Sequence, residues 1–253
     1  MFSLLAATPA FAQDAAPATV DTAKLEALLK ASDVSYDQRD QPGKWDEAKA
    51  KIDEAEKLSP KDYGLLWRMS RALYWKSDGL TGDEQMKLGK ASWDYGEKAI
   101  AANLKGVEGY YYAALGMGNY SLGIGILKAL SQGIEGKYRD RLGRAGQIDA
   151  KYDEGGIDTA WGRFYFKLPW PKYDEKKSEA HFKRALQTQP AHVRARVYYA
   201  ELLLSEKRLP EAKKLVKEAL AHQPGAYDLP EEKRAQAWAK QLQPKIEAAA
   251  DNE

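Results

Sequence analysis

Apolar residues recur along this chain at three- and four-residue intervals, the spacing of one face of a helix. Leu25, Leu28 and Leu29 share such a stripe in a predicted helix over 22–40. It pairs with a helix over 45–58, which stops before Pro60 because proline cannot continue it. Leu65, Leu66, Met69, Leu73 and Tyr74 place the next helix over 62–77, and Asp83 is positioned to cap one running to about 102. The pattern then predicts helices over 107–120, 122–135 and 137–149. Beyond these, 157–167 pairs with 174–188, 191–206 pairs with 209–221, and a last helix spans about 230–249. Helices take up nearly the whole chain, so the fold class is expected to be all-α.

The second helices share a signature: a small residue, a bulky apolar one four on, a small one three later and Pro five beyond. Ser178, Phe182, Ala185 and Pro190 form one copy; Ala212, Val216, Ala219 and Pro224 form the next. Ala48, Ile52, Ala55 and Pro60 repeat the same offsets. The first two copies lie 34 residues apart, and in period and pattern the chain resembles the tetratricopeptide repeat. The small residues let paired helices approach closely, the bulky one fills the groove, and Pro ends the helix. Gly89, Trp93 and Gly96 fall in the same register, as do Tyr138, Leu142 and Ala145, but at irregular intervals. The central repeats therefore carry insertions, which in solenoids collect on a functional face. The resemblance implies a tetratricopeptide-repeat α-solenoid of about five helix pairs with a C-terminal capping helix. Residues 23–253 would form it as a single domain, its cap presenting a polar last face.

Composition narrows the function. Charged residues make up 30% and nearly cancel at net +2, so there is no nucleic-acid footprint. A hydrophobic content of 44% supports a core. No apolar stretch approaches the ~18 residues of a membrane-spanning helix. Residues 1–12 read as the remnant of a signal peptide: a short apolar run precedes Ala10-Phe11-Ala12, an A-x-A site with cleavage expected after Ala12. No basic residue precedes Lys24, which leaves open an upstream start or a plain Ala-rich terminus. Residues 13–22 read as a flexible leader. With no cysteine, neither a disulfide nor a lipid-modified Cys is available. The mature chain is expected to be soluble and periplasmic.

Two passages concentrate aromatic residues. Residues 110–120, YYYAALGMGNY, hold four tyrosines and two glycines, with Gly123 and Gly125 following. Glycine inside a helix costs ~1 kcal/mol relative to Ala, so this density points to close approach of a helix or ligand. Residues 161–171, WGRFYFKLPWP, form a helix aromatic on all sides, ended by a Pro-Trp-Pro turn. Core packing accounts for most of these rings, but not all can face one core, so some should line a groove or subunit interface. The order YYYAALGMGNY, IDAKYDEGG, WGRFYFKLPWP and then a regular repeat resembles the T component associated with TRAP transporters over roughly residues 30–225. That resemblance implies a periplasmic helical protein that associates with a solute-binding protein and with itself as a homo-oligomer. The family's lipid anchor has no counterpart in a chain without cysteine. A weaker similarity runs to regulators of microtubule dynamics, against which the export-like start argues.

Catalytic chemistry finds little support. His181, His192 and His222 are the only histidines, and none belongs to an HExxH pattern. The latter two flank the repeat prolines, where solvated helix ends are expected. Gly116-x-Gly118 and Gly123-x-Gly125 lack a third glycine and a preceding strand, so the dinucleotide fingerprint fails. No GxSxG or P-loop occurs. No catalytic residue, metal or cofactor is therefore expected. The leading expectation is a non-enzymatic interaction module serving TRAP-type transport through the solute-binding component. The alternative is a carrier holding a small hydrophobic or amphipathic ligand between the central aromatic helices. With Gly116 and Gly162 at position 8 of their repeats, the concave positions select Tyr110, Tyr120, Arg163 and Phe166. Asn119 lies beside them, and Trp170 sits on the turn that follows.

Overall fold

A computed structural model describes residues 21–251, which form twelve helices and no strand among the described residues. They are α1 (Thr22–Tyr36), α2 (Lys44–Leu58), α3 (Tyr63–Asp78), α4 (Gly82–Ala102), α5 (Val107–Ile124) and α6 (Ile126–Ser131). Then follow α7 (Ile134–Ile148), α8 (Tyr152–Lys167), α9 (Glu175–Thr188), α10 (Val193–Ser205), α11 (Leu209–Ala221) and α12 (Leu229–Ala250). The expected signal remnant over 1–12, its cleavage site and most of the leader over 13–22 lie outside the described residues. Asp21 caps α1, accepting from the Lys24 amide at 2.9 Å.

Five pairs stack in sequence: α1 with α2, α3 with α4, α5 with α7, α8 with α9 and α10 with α11, and α12 closes the series. The signature residues sit where close packing needs them. Ala48, Ala55, Ala145, Ser178, Ala185, Ala212 and Ala219 are fully buried, with Ile52, Leu142, Phe182 and Val216 filling the grooves between them. Ser178 Oγ donates to the Gly162 carbonyl at 2.8 Å, so α9 touches α8 along its backbone. Between α3 and α4, Ser70 and Ser92 exchange hydroxyl-to-carbonyl bonds of 2.7 and 2.9 Å.

The closest approach is between α4 and α5. A Cβ on Gly89 would lie 2.5 Å from the Tyr120 amide, and one on Gly116 would lie 2.5 Å from the Trp93 amide. Gly96 against Ala113 and Gly123 against Met86 continue this seam, so the glycine density of α5 serves a helix-to-helix contact.

Three expectations about elements change. The helix expected over 122–135 is broken: α5 runs on to Ile124, and Gly125 (φ 90°) and Gly133 (φ 69°) isolate the short α6. Asp83 is not the cap of α4; Thr81 precedes it and Asp83 lies in the first turn, where its charge favours the helix dipole. The helix expected from 157 is entered through a kink that was not expected: within α8, Asp153 (φ 55°), Glu154 (φ 49°) and Gly155 (φ 96°) are left-handed, and the regular helix follows them.

The cap does more than cover the last pair. Ala235, Ala239, Leu242 and Ile246 seal the C-terminal core, while the polar side of α12 reaches the first repeats. Arg39 pairs with Asp228 at 2.5 Å, Lys233 with Asp40 at 2.8 Å, and Arg234 donates to the Trp75 carbonyl at 2.7 Å. The first and last repeats thus meet across the concave side. No helix among the described residues is long and apolar enough to cross a membrane.

Candidate functional site

The inner helix of each pair turns a stripe of side chains toward this concave face. Arg71, Tyr74, Trp75 and Asp78 follow helical spacing on α3; Tyr111, Tyr112, Leu115, Asn119 and Leu122 do so on α5; Thr159 and Arg163 on α8; Arg194, Tyr198 and Glu201 on α10. With Tyr36 at the end of α1, Arg39 in the turn after it, and Glu231, Trp238 and Lys245 of α12, they line a chamber of about 340 Å³. That is the size of a small-molecule site. Glu232 shapes the entry of α12. Fully buried, its carboxylate accepts from the amides of Gly225, Ala226 and Tyr227, fixing the loop that brings Tyr227 and Asp228 into the wall.

Arg194 is the hub. Its guanidinium meets Asp78 at 2.9 Å, Glu231 through Nε and the Tyr74 hydroxyl at 2.5 Å, joining α10 to α3 and α12. Burial opposes its charge, but Asp78 and Glu231 outweigh burial and hold its pKa above the usual arginine value. Arg163 pairs with Glu201 and lies over the Tyr198 ring at 4.0 Å, and Tyr198 stacks on Trp238 at 5.9 Å.

Asp153 differs from the other acids of the wall. The left-handed turn directs its carboxyl inward, where Oδ2 accepts from the Tyr111 hydroxyl at 2.7 Å. Among the described residues no Arg or Lys forms an ion pair with it, and desolvation of its carboxyl raises its pKa although the residue as a whole is exposed. Left-handed conformations cost non-glycine residues of order 1–3 kcal/mol each, so the fold sustains strain at this point of the wall. His192 is also in the wall. It is not a solvated helix end as expected: it is 4% exposed, lies 3.2 Å from Thr159 Oγ1, and burial pushes its pKa down to about 3, leaving it neutral. His222 is covered as well, bonded to Glu232 at 3.3 Å.

The chamber gathers two of the six expected site residues. Asn119 lines it, donating to Ser77 Oγ at 2.7 Å, and Arg163 lines it from α8. Tyr110 is buried in the central core with its hydroxyl on the Leu104 carbonyl at 3.4 Å. Tyr120 packs on Trp93 at 5.9 Å on the α4 side, and Phe166 packs on Tyr173 at 6.4 Å in the C-terminal core. Trp170 is 89% exposed on its turn. The difference on α5 has a definite cause. Gly162 packs on Phe182 of its own partner helix, whereas Gly116 packs on α4 of the preceding pair. Equating the two glycines rotates the inward stripe of α5 from Tyr111, Tyr112 and Asn119 to Tyr110 and Tyr120. Apart from Arg163, the arginines of the wall and its acids were missed, although Arg71-Tyr74-Trp75-Asp78 and Arg194-Tyr198-Glu201 carry the same helical spacing.

Residues 174–239 match the tetratricopeptide-repeat family model. Among solved structures, a thermophilic TPR protein of Thermus thermophilus superposes with a TM-score of 0.64, covering 86% of this chain and 100% of that chain at 22% identity. The fold is a tetratricopeptide-repeat solenoid. No curated protein matches the chain. Tetratricopeptide-repeat arrays are interaction modules whose concave face receives partners. In this solenoid the first and last repeats meet across that face beside a partly open chamber.

Proposed function

We propose that this protein is a non-enzymatic carrier that holds one small amphipathic molecule between its central aromatic helices. The observation behind this reading is the chamber of about 340 Å³, whose wall mixes stacked aromatic rings with buried charge. Drug-sized and smaller ligands occupy sites of this volume, with apolar walls and a few placed polar groups. The polypeptide of a partner protein would need an open groove, and the contacts of Asp228 with Arg39 and of Arg234 with the Trp75 carbonyl span it. Native mass spectrometry of protein purified without detergent tests the proposal. A single extra mass bound at one equivalent, lost on denaturation, is expected; bare protein in every preparation counts against it.

A second role fits beside the first: accessory to a periplasmic TRAP-type transporter, touching its solute-binding component. The motif order supports it, and so does the exposed Trp170, since aromatic residues dominate interface energies. Trp170→Ala is expected to weaken binding to that component at least about tenfold while leaving the melting temperature unchanged, a loss of ~1.4 kcal/mol. Full affinity in the variant would remove this surface from the proposal.

A further inference from the structure

Hydrogen-bonding capacity in the chamber wall is unbalanced. The carboxylates of Asp228, Asp78, Glu231 and Glu201 are each engaged by a guanidinium. Apart from Arg194 Nη2 and Asp78 Oδ2, which face each other at 2.9 Å as an ion pair without hydrogen-bond geometry, three buried donors of the wall have no acceptor among the described residues: Arg39 Nε, Arg71 Nε and the Tyr227 hydroxyl. The Arg39 side chain is 4% exposed, so solvent does not supply one. Arg39 and Arg71 lie over the same Tyr36 ring, at 4.2 and 3.9 Å, and so converge on one end of the chamber. Buried donors left without acceptors are costly, and an acceptor-rich group is what this end lacks.

At its other end the chamber adjoins a recess of about 90 Å³ beneath α6, lined by Ile126, Ala129, Leu130 and Ile134 and almost wholly apolar. Gly118, Leu122, Tyr138 and Arg163 belong to both walls. Gly118 differs from its neighbours in α5: a Cβ there would meet only the edge of Tyr138, at 3.6 Å. Gly118 therefore leaves space on the wall that the two cavities share.

We infer that the ligand of the chamber is an amphipathic organic anion, its acidic group received by Arg39, Arg71 and Tyr227 and its apolar end running toward the recess beneath α6. This rests on the carrier reading and specifies its ligand class.

Calorimetric titration with octanoate, 1-octanol and acetate separates charge from tail. Octanoate should saturate one site, with acetate and 1-octanol each at least about tenfold weaker; each buried methylene is worth roughly fourfold in affinity. Arg71→Gln and Tyr227→Phe should each bring octanoate toward the affinity of 1-octanol. Gly118→Leu, which fills that space without straining α5, should bring it toward acetate. Equal affinity of octanoate and 1-octanol for the unaltered protein overturns the anion assignment, and needs no variant to fold. Octanoate binding untouched by all three substitutions places the site elsewhere and also overturns it. If a neutral molecule is found by native mass spectrometry while octanoate fails to saturate, this inference falls and the carrier reading stands. If neither is seen, both fall.

Discussion

Replacing Arg194 with Met tests whether the closure depends on its buried hub. The side chain is 8% exposed, and its partners Asp78 and Glu231 are 11% and 14% exposed. Met preserves much of the stem's apolar volume, so the main loss is the charge. Glu231 then loses its counterion, Asp78 keeps only the longer contact to Arg234 at 3.8 Å, and the Tyr74 hydroxyl loses its neighbour. Breaking a buried pair from one side costs roughly 3–5 kcal/mol, because the remaining charge is uncompensated. The exposed closure pair is a control. Lys233 is 48% exposed, and Lys233→Ala should cost no more than about 1 kcal/mol. Urea unfolding followed by circular dichroism gives both values. The sign with pH is fixed by the acids. Burial raises the folded-state pKa of Glu231 and Arg194 opposes that rise, so without Arg194 the folded state binds protons more readily than the unfolded one. The penalty of Arg194→Met should therefore be largest at pH 7 and shrink as pH falls toward the unfolded carboxylate range of about 4. A cost under about 1 kcal/mol at pH 7, or one that does not change with pH, would refute the argument that this network holds the first and last repeats together.

Other outcomes follow from packing and titration. Ala219 is fully buried at a helix contact, so Ala219→Leu should overpack it and lower stability by ~1–3 kcal/mol in a urea melt; an unchanged midpoint would mean the repeat register is wrong. Asn is a good helix N-cap, so His192→Asn keeps a capping group for α10 while removing a buried titrating one. With the folded His192 pKa near 3 against an ordinary 6.5, its neutral form is fully compatible with folding above 6.5, and stability is lost as pH falls toward 3. The variant should lose less stability than the parent across that window, measured by thermal melts in a pH series. Gly116→Ala would place a methyl 2.5 Å from the Trp93 amide, so it should destabilise the α4–α5 seam by ~1–3 kcal/mol despite Ala's better helix propensity; a stabilised variant would mean the two helices are not in backbone contact.

The parts of the fold that sequence made legible were those governed by close packing. At Ala185 or Ala219 only a small side chain fits between paired helices, so the identity itself carries the geometry. Helix ends were legible at Pro60, Pro190 and Pro224 for an equally local reason. The break between α5 and α6 was harder, because Leu122, Ile124, Ile126 and Leu127 continue an apolar run through it. Only the left-handed Gly125 and Gly133 mark the interruption. The chamber was legible in part. Asn119 and Arg163 were found, but the closure pairs Arg39 with Asp228 and Tyr74 with Arg194 over long sequence separations. No local periodicity reports such partners. The bond from Tyr111 to Asp153 was not legible either, because nothing in Lys151-Tyr152-Asp153-Glu154 foretells a left-handed turn.

The central claim is that the concave face of this solenoid is spanned by contact of its first and last repeats. Zero-length carbodiimide cross-linking measures it directly, because Lys233 Nζ lies 2.8 Å from Asp40 Oδ2 across most of the chain. Mass spectrometry of the digested protein should find an amide joining those two residues in the monomer. The local Lys49–Asp53 pair, also at 2.8 Å, reports that the coupling worked. Local cross-links at Lys49 without any between Lys233 and Asp40 would contradict that contact.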